Sequence, residues 1–125
     1  MTGVPNMIQV MVPEPLRLLS FYRTENGRAL VQEWLRSLTN EEKKRIGKEL
    51  AKLQFYDHWP AGLVKCLRDG LRELRVSLKK GEARVLFFEQ QNELVLVHAF
   101  WKKTQTTPKD ILNEALKRKR NFEQG

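Results

Sequence analysis

The sequence predicts an α+β domain of two layers, a helical hairpin packed on a small antiparallel sheet, followed by a C-terminal helix. Three observations predict it. Residues 26–56 carry apolar side chains at helical spacing, interrupted at Thr39. Residues 71–101 hold three apolar runs joined by short polar connections. Residues 108–120 return to helical spacing directly after Pro108.

Pro5, Pro13 and Pro15 discourage regular structure at the start, so residues 1–15 read as a loose, flexible N-terminal extension and 16–122 as the folded domain. Leu16 to Thr24 is the first strand. Asn26 is placed to cap a helix from Gly27 to Leu38 whose stripe is Leu30, Trp34, Leu35 and Leu38. Thr39 followed by Glu42 is the arrangement of a capping box, and opens a second helix. Ile46, Leu50, Leu53 and Tyr56, with Phe55 as an alternative, form its expected buried face, with Lys43, Lys44, Arg45, Lys48, Glu49 and Lys52 outside. Gly47 inside that helix marks a place where close packing is expected.

Leu63 to Leu67 is a short strand or the rim of one. Strands over Leu71–Leu78, Ala83–Gln90 and Glu93–Trp101 then form an antiparallel meander, because their connections are of hairpin length. Thr107 and Pro108 open the last helix as cap and first residue, with Ile111, Leu112, Ala115 and Leu116 toward the core. The basic run Lys117–Arg120 at its end reads as solvated. The order is β-α-α-(β)-β-β-β-α, and the face away from the hairpin is left partly open as a groove.

The chain has 125 residues, 23 Lys+Arg and 15 Asp+Glu, for a net charge of +8. Such an excess favours a polyanionic partner, because clustered cations displace counterions from phosphates. The single cysteine, Cys66, forms no internal disulfide, and two histidines are too few for a structural zinc site. No apolar run approaches a membrane span and no secretory leader is recognisable, so a cytoplasmic protein without membrane contact or cofactor is expected.

Strand alternation puts Glu73, Arg75 and Ser77 on one face and Leu74, Val76 and Leu78 on the other. Glu73 and Arg75 read equally as a solvated ion pair. Arg84 stands at the mouth of a central strand, with Glu73 or Glu82 as alternative partners. His98 alternates with Leu94, Leu96 and Phe100, as a satisfied core residue or as a catalyst. Lys102, Lys103, Thr104 and Gln105 precede a helix N-terminus and can cradle a phosphate. No glycine-rich phosphate loop, nucleophile elbow or two-metal carboxylate cluster is present in the sequence. An inventory of arginines and lysines fits metal-free RNA cleavage, in which the 2′-OH is the nucleophile and fixed cations stabilise the phosphorane.

Gly70-Leu71-Arg72-Glu73-Leu74-Arg75, then Ala83-Arg84-Val85-Leu86-Phe87-Phe88, then Val97-His98-Ala99-Phe100-Trp101-Lys102-Lys103-Thr104-Gln105-Thr106-Thr107-Pro108 resemble the RelE/HigB superfamily of bacterial toxins in its phage-derived Gp49-like branch. The resemblance covers about residues 16–120. It implies a RelE-like fold and the toxin of a type II toxin–antitoxin pair, a ribosome-dependent mRNA endonuclease that inhibits translation. It implies as partners the ribosome and mRNA, and a helix-turn-helix, HigA-like antitoxin through which alone operator DNA is bound. Arg75 and Arg84 match the family's strand arginines, with Glu73 and His98 as further catalytic candidates. Lys102 and Lys103 match its basic pair. With Thr104, Gln105, Lys79 and Lys80 they form the candidate RNA- and ribosome-binding set. The His or Tyr used elsewhere in the superfamily after the last strand is missing, which leaves the acid and base open. A gyrase-poisoning toxin of the same fold and a non-enzymatic RNA-binding module are the alternatives.

Overall fold

The run 82–90, apolar on both faces, becomes the middle strand of a five-stranded sheet. The computed structural model describes residues 14–103 and 106–125; residues 1–13 of the expected extension lie outside the described residues. The elements are β1 (Leu18–Phe21), α1 (Leu30–Arg36), α2 (Asn40–Phe55), β2 (Val64–Cys66), β3 (Arg72–Ser77), β4 (Glu82–Gln90), β5 (Glu93–Trp101) and α3 (Lys109–Gln124). The strand order is β1-β5-β4-β3-β2. The α+β class, the helical hairpin, the meander of β3, β4 and β5 and the C-terminal helix all stand as expected. One edge differs: β1 lies parallel to β5, so the sheet is mixed rather than antiparallel. Direction at that edge depends on a partner more than seventy residues away, which local pattern does not encode.

The sheet is covered on both faces. Leu74, Val76, Val85, Phe87, Leu94 and Leu96 pack under α1 and α2, while Leu71, Leu86, Phe88, Val95 and Val97 pack under α3 with Ala115 and Leu116. The last helix runs past the basic segment to Gln124, and Phe122 meets Phe88 edge-on at 5.5 Å.

Several local expectations change for identifiable reasons. Gly27 has φ +82°, and its N–H donates to Thr24 O at 2.8 Å, so a turn occupies the site expected for a helix start. Helix α1 begins only at Leu30, without a side-chain cap. Thr39 forms its capping box with Glu42 in both directions. Phe55 and Tyr56 are exposed, not buried, while Glu49 is buried beside Arg45 and Lys52. The Arg17 guanidinium donates to the carbonyls of Leu53 (3.1 Å) and Tyr56 (2.8 Å), filling the acceptors left open at the end of α2.

Gly47 shows no close approach: a Cβ built there meets nothing within 4 Å. Its position in a helix interior therefore only costs conformational entropy. Gly47→Ala is expected to stabilise the fold by about 0.5–1 kcal/mol, read as a higher urea midpoint at unchanged slope. An unchanged or lower midpoint counts against an unconstrained glycine.

Candidate functional site

A register irregularity decides which side chains meet. Leu86 pairs with His98 but Phe87 pairs with Leu96, so Val97 is an extra residue in β5. This β-bulge resets the alternation. His98 and Phe100 therefore leave the face of Leu94 and Leu96 expected from simple alternation. They join the α3 face, where Glu73, Arg75 and Arg84 also lie. The pairings Arg75↔Arg84↔Phe100 and Glu73↔Leu86↔His98 make two adjacent rows across β3, β4 and β5.

Glu73 is the centre of the first cluster. It is 0% exposed, which corrects the expectation of a solvated ion pair. Its Oε1 accepts from Arg75 Nε at 3.3 Å and stands 3.4 Å from Arg84 Nη1, while Oε2 accepts from the Thr107 hydroxyl at 2.7 Å. Thr107 therefore does not cap α3 as expected; Pro108 holds the cap position without a side-chain bond. The hydroxyl instead ties the segment before α3 to the sheet. Arg84 is 2% exposed and also reaches Glu82 Oε1 from Nη2 at 3.0 Å. Lys102 Nζ lies 3.8 Å from the same Glu82 oxygen, and its N–H donates to Glu82 O at 2.8 Å.

The two arginines are thus unequal. Arg84 is enclosed between two carboxylates, whereas the Arg75 side chain is 32% exposed and held from beneath by one. A buried carboxylate that fixes one face of a guanidinium leaves its other N–H groups aimed outward in a set direction, the requirement for stabilising developing negative charge without reorganisation. Lys103, the next residue after Lys102, is exposed. Thr104 and Gln105 lie outside the described residues.

His98 belongs to the same face but has a different neighbour. Arg118 Nη1 donates to the bulge carbonyl Val97 O at 2.6 Å and approaches His98 Nδ1 at 3.1 Å. Arginine has only donors, so Nδ1 is the acceptor and the ring proton sits on Nε2. Burial first, and then the Arg118 charge, hold the imidazole pKa below its ordinary value; Glu114 and Asp110 oppose this. The neutral ring is the favoured form, which suits an acceptor for the α3 clamp. The expectation of a fully solvated tail over Lys117–Arg120 therefore fails at Arg118. Its position three residues after Ala115 and four before Phe122 puts it on the inward stripe of α3, a signal present in the spacing.

A depressed histidine pKa contributes stability above the unfolded value near 6.5 and loses it as pH falls toward the folded value. The Tm of the wild type is therefore expected to drop between pH 7.5 and 5.5 more than that of His98→Gln. Parallel melting curves for the two proteins would remove this role from His98.

Lys79 and Lys80, in the β3–β4 turn, are not part of the cluster around Glu73. Lys80 Nζ sits 4.8 Å from the centre of the Trp101 ring, and Lys79 Nζ lies 4.0 Å from Glu41 Oε1 on α2. They continue the cationic end of the sheet toward the hairpin.

Comparison with known proteins gives one positive finding. The model of the family described as phage derived protein Gp49-like (DUF891), a family of RelE/HigB-like toxins, matches residues 33–120. That span runs from α1 through α3 and contains every described candidate residue. No curated protein matches the chain significantly. No helix among the described residues is long and apolar enough to cross a membrane.

Proposed function

We propose, since the chain belongs to the phage-derived Gp49-like family of RelE/HigB-like toxins, that it cuts mRNA on the ribosome and is held in check by a helix-turn-helix antitoxin in the cytoplasm. Membership of a toxin–antitoxin family implies an antitoxin partner. The observation that carries the nuclease reading is the partly exposed Arg75 side chain anchored on buried Glu73, in a cluster that Lys102 joins through Glu82.

In this reading the RNA backbone lies against Arg75. The 2′-OH gives up its proton as its oxygen attacks the adjacent phosphorus, the P–O5′ bond breaks, the departing 5′-oxygen takes up a proton, and the products are a 2′,3′-cyclic phosphate and a 5′-hydroxyl. Arg75 stabilises the extra charge on the phosphorane oxygens, worth about 10²–10³ in rate for one well-placed donor. Lys102 and Lys103 hold the flanking phosphates. Glu73 and Arg84 act beneath the surface: the carboxylate sets Arg75, and Arg84 compensates the carboxylate. His98, neutral and engaged with Arg118, serves the bulge and helix contact.

Induction of the protein in bacteria followed by mapping of mRNA 5′ ends tests this. New ends within translated codons, lost with Arg75→Ala, are the expected result. Growth arrest with unchanged mRNA ends and a DNA-damage response identifies a gyrase poison instead. No growth defect identifies a binding module.

A further inference from the structure

Helix α2 carries a charge pattern that its own stability does not ask for. Cations are favoured toward the C-terminal end of a helix, and like charges four residues apart repel. Glu41 and Glu42 occupy the first turn as that rule asks, yet Lys43, Lys44, Arg45 and Lys48 follow directly, with Lys44 and Lys48 spaced by four. Arg45 is bonded to Glu49. Lys43, Lys44 and Lys48 are exposed and take part in no ion pair among the described residues. Sequences break local rules of this kind where a surface is used.

These lysines are connected to the candidate site around the end of the sheet. Lys44, Arg45 and Lys48 line a cleft of about 620 Å³ with Ser77, Leu78, Lys79 and one carboxylate, Glu41, which Lys79 faces at 4.0 Å, so cations outnumber the acid four to one. Lys79 leads through the β3–β4 turn to Lys80 on Trp101, and Glu82, at the other side of that turn, meets Lys102. Arg75, two residues before Ser77, stands at the same end of β3.

We infer that a single RNA strand gripped at Arg75 and Lys102 continues around the β3–β4 turn and lays its flanking backbone in the cleft of Lys44, Lys48 and Lys79. The inference rests on the RNA reading above and extends it: the α2 cations hold substrate backbone at a distance from the scissile phosphate, without reading base sequence. Continuity of the cations between the two places favours one strand over a separate acidic protein segment. Loss of a remote, sequence-independent grip acts on binding and leaves the chemistry of bound substrate alone.

Fluorescence anisotropy with labelled, uncleavable 2′-O-methyl oligouridylates of about 6 and about 18 nucleotides tests the path independently of cleavage. For the wild type the longer strand should bind more tightly and with a steeper salt dependence. In Lys44→Gln/Lys48→Gln the slope of log K against log salt on the longer strand should flatten by about 1.4, at roughly 0.7 for each phosphate that is no longer neutralised, while the shorter strand binds as before. The variant should melt no lower than the wild type, since it removes a repulsive pair. An unchanged slope on the longer strand overturns the path, whatever the mRNA-end mapping shows. So does a variant that loses affinity for an oligoglutamate peptide but not for RNA. Conversely, a flattened slope with intact mRNA ends in cells keeps the path and removes the nuclease.

Discussion

Glu73→Ala is expected to destabilise the protein by about 3–5 kcal/mol, the cost of stranding a buried charge by removing its partner. Arg84 is 2% exposed and bonded to Glu73 and Glu82, and Thr107 donates its hydroxyl to the same Glu73 carboxylate. Removing that carboxylate leaves Arg84 with only partial compensation and cuts the tie that holds the segment before α3. For a chain of this size the loss reads as roughly 10–20 °C in Tm. The double variant Glu73→Met/Arg84→Met should recover much of it, because replacing both buried ions by apolar side chains of similar volume removes the desolvation penalty together with the attraction. A double variant as unstable as Glu73→Ala would mean that the pair stabilises by more than mutual compensation. A Glu73→Ala protein as stable as the wild type would show that the carboxylate is not a keystone of this face.

Arg75→Ala is expected to lower the rate of mRNA cleavage on ribosomes by about 10²–10³ while changing Tm little. The side chain is 32% exposed, and its loss leaves Glu73 with Arg84 and Thr107. Stability and activity therefore separate at this position, in contrast to Glu73, where they fall together. Arg75→Lys is not expected to restore the rate. A lysine supplies a point charge, and the planar fork held by one carboxylate while presenting its other donors is lost. The fall should appear in kcat with little change in KM, since the charge Arg75 meets develops in the transition state. A folded Arg75→Ala protein with full cleavage would end this assignment.

Taken together, these two variants describe a division of labour within one ionic cluster. In the proposed reading, the buried carboxylate serves to fix the orientation of the partly exposed Arg75. Lys102 participates from the side through Glu82, so the position of β5's end is coupled to that of β4's start.

Much of this molecule is legible in its residues. The capping box at Thr39 and Glu42 depends on contacts within one turn, and it forms as the spacing requires. The meander follows from short connections between apolar runs, and α3 from the stripe after Pro108. The family resemblance is likewise read from contiguous motifs around Glu73, Arg84 and Lys102, all within the matched span 33–120. Other features need coordinates. Alternation places His98 with Leu94 and Leu96, and one bulged residue at Val97 reverses that assignment. Because side chains in a strand repeat every two residues, a single insertion moves everything after it to the other face.

The order of residues was enough to dictate the elements, their approximate succession and a strongly cationic chain, because helical period, turn residues and charge are local or additive properties. Folding in three dimensions was needed to turn Arg75 outward while enclosing Arg84, to give Thr107 to Glu73 instead of a helix end, and to bring Arg118 to the bulge. These outcomes depend on pairings between positions tens of residues apart, where burial and desolvation choose the partner of each charge.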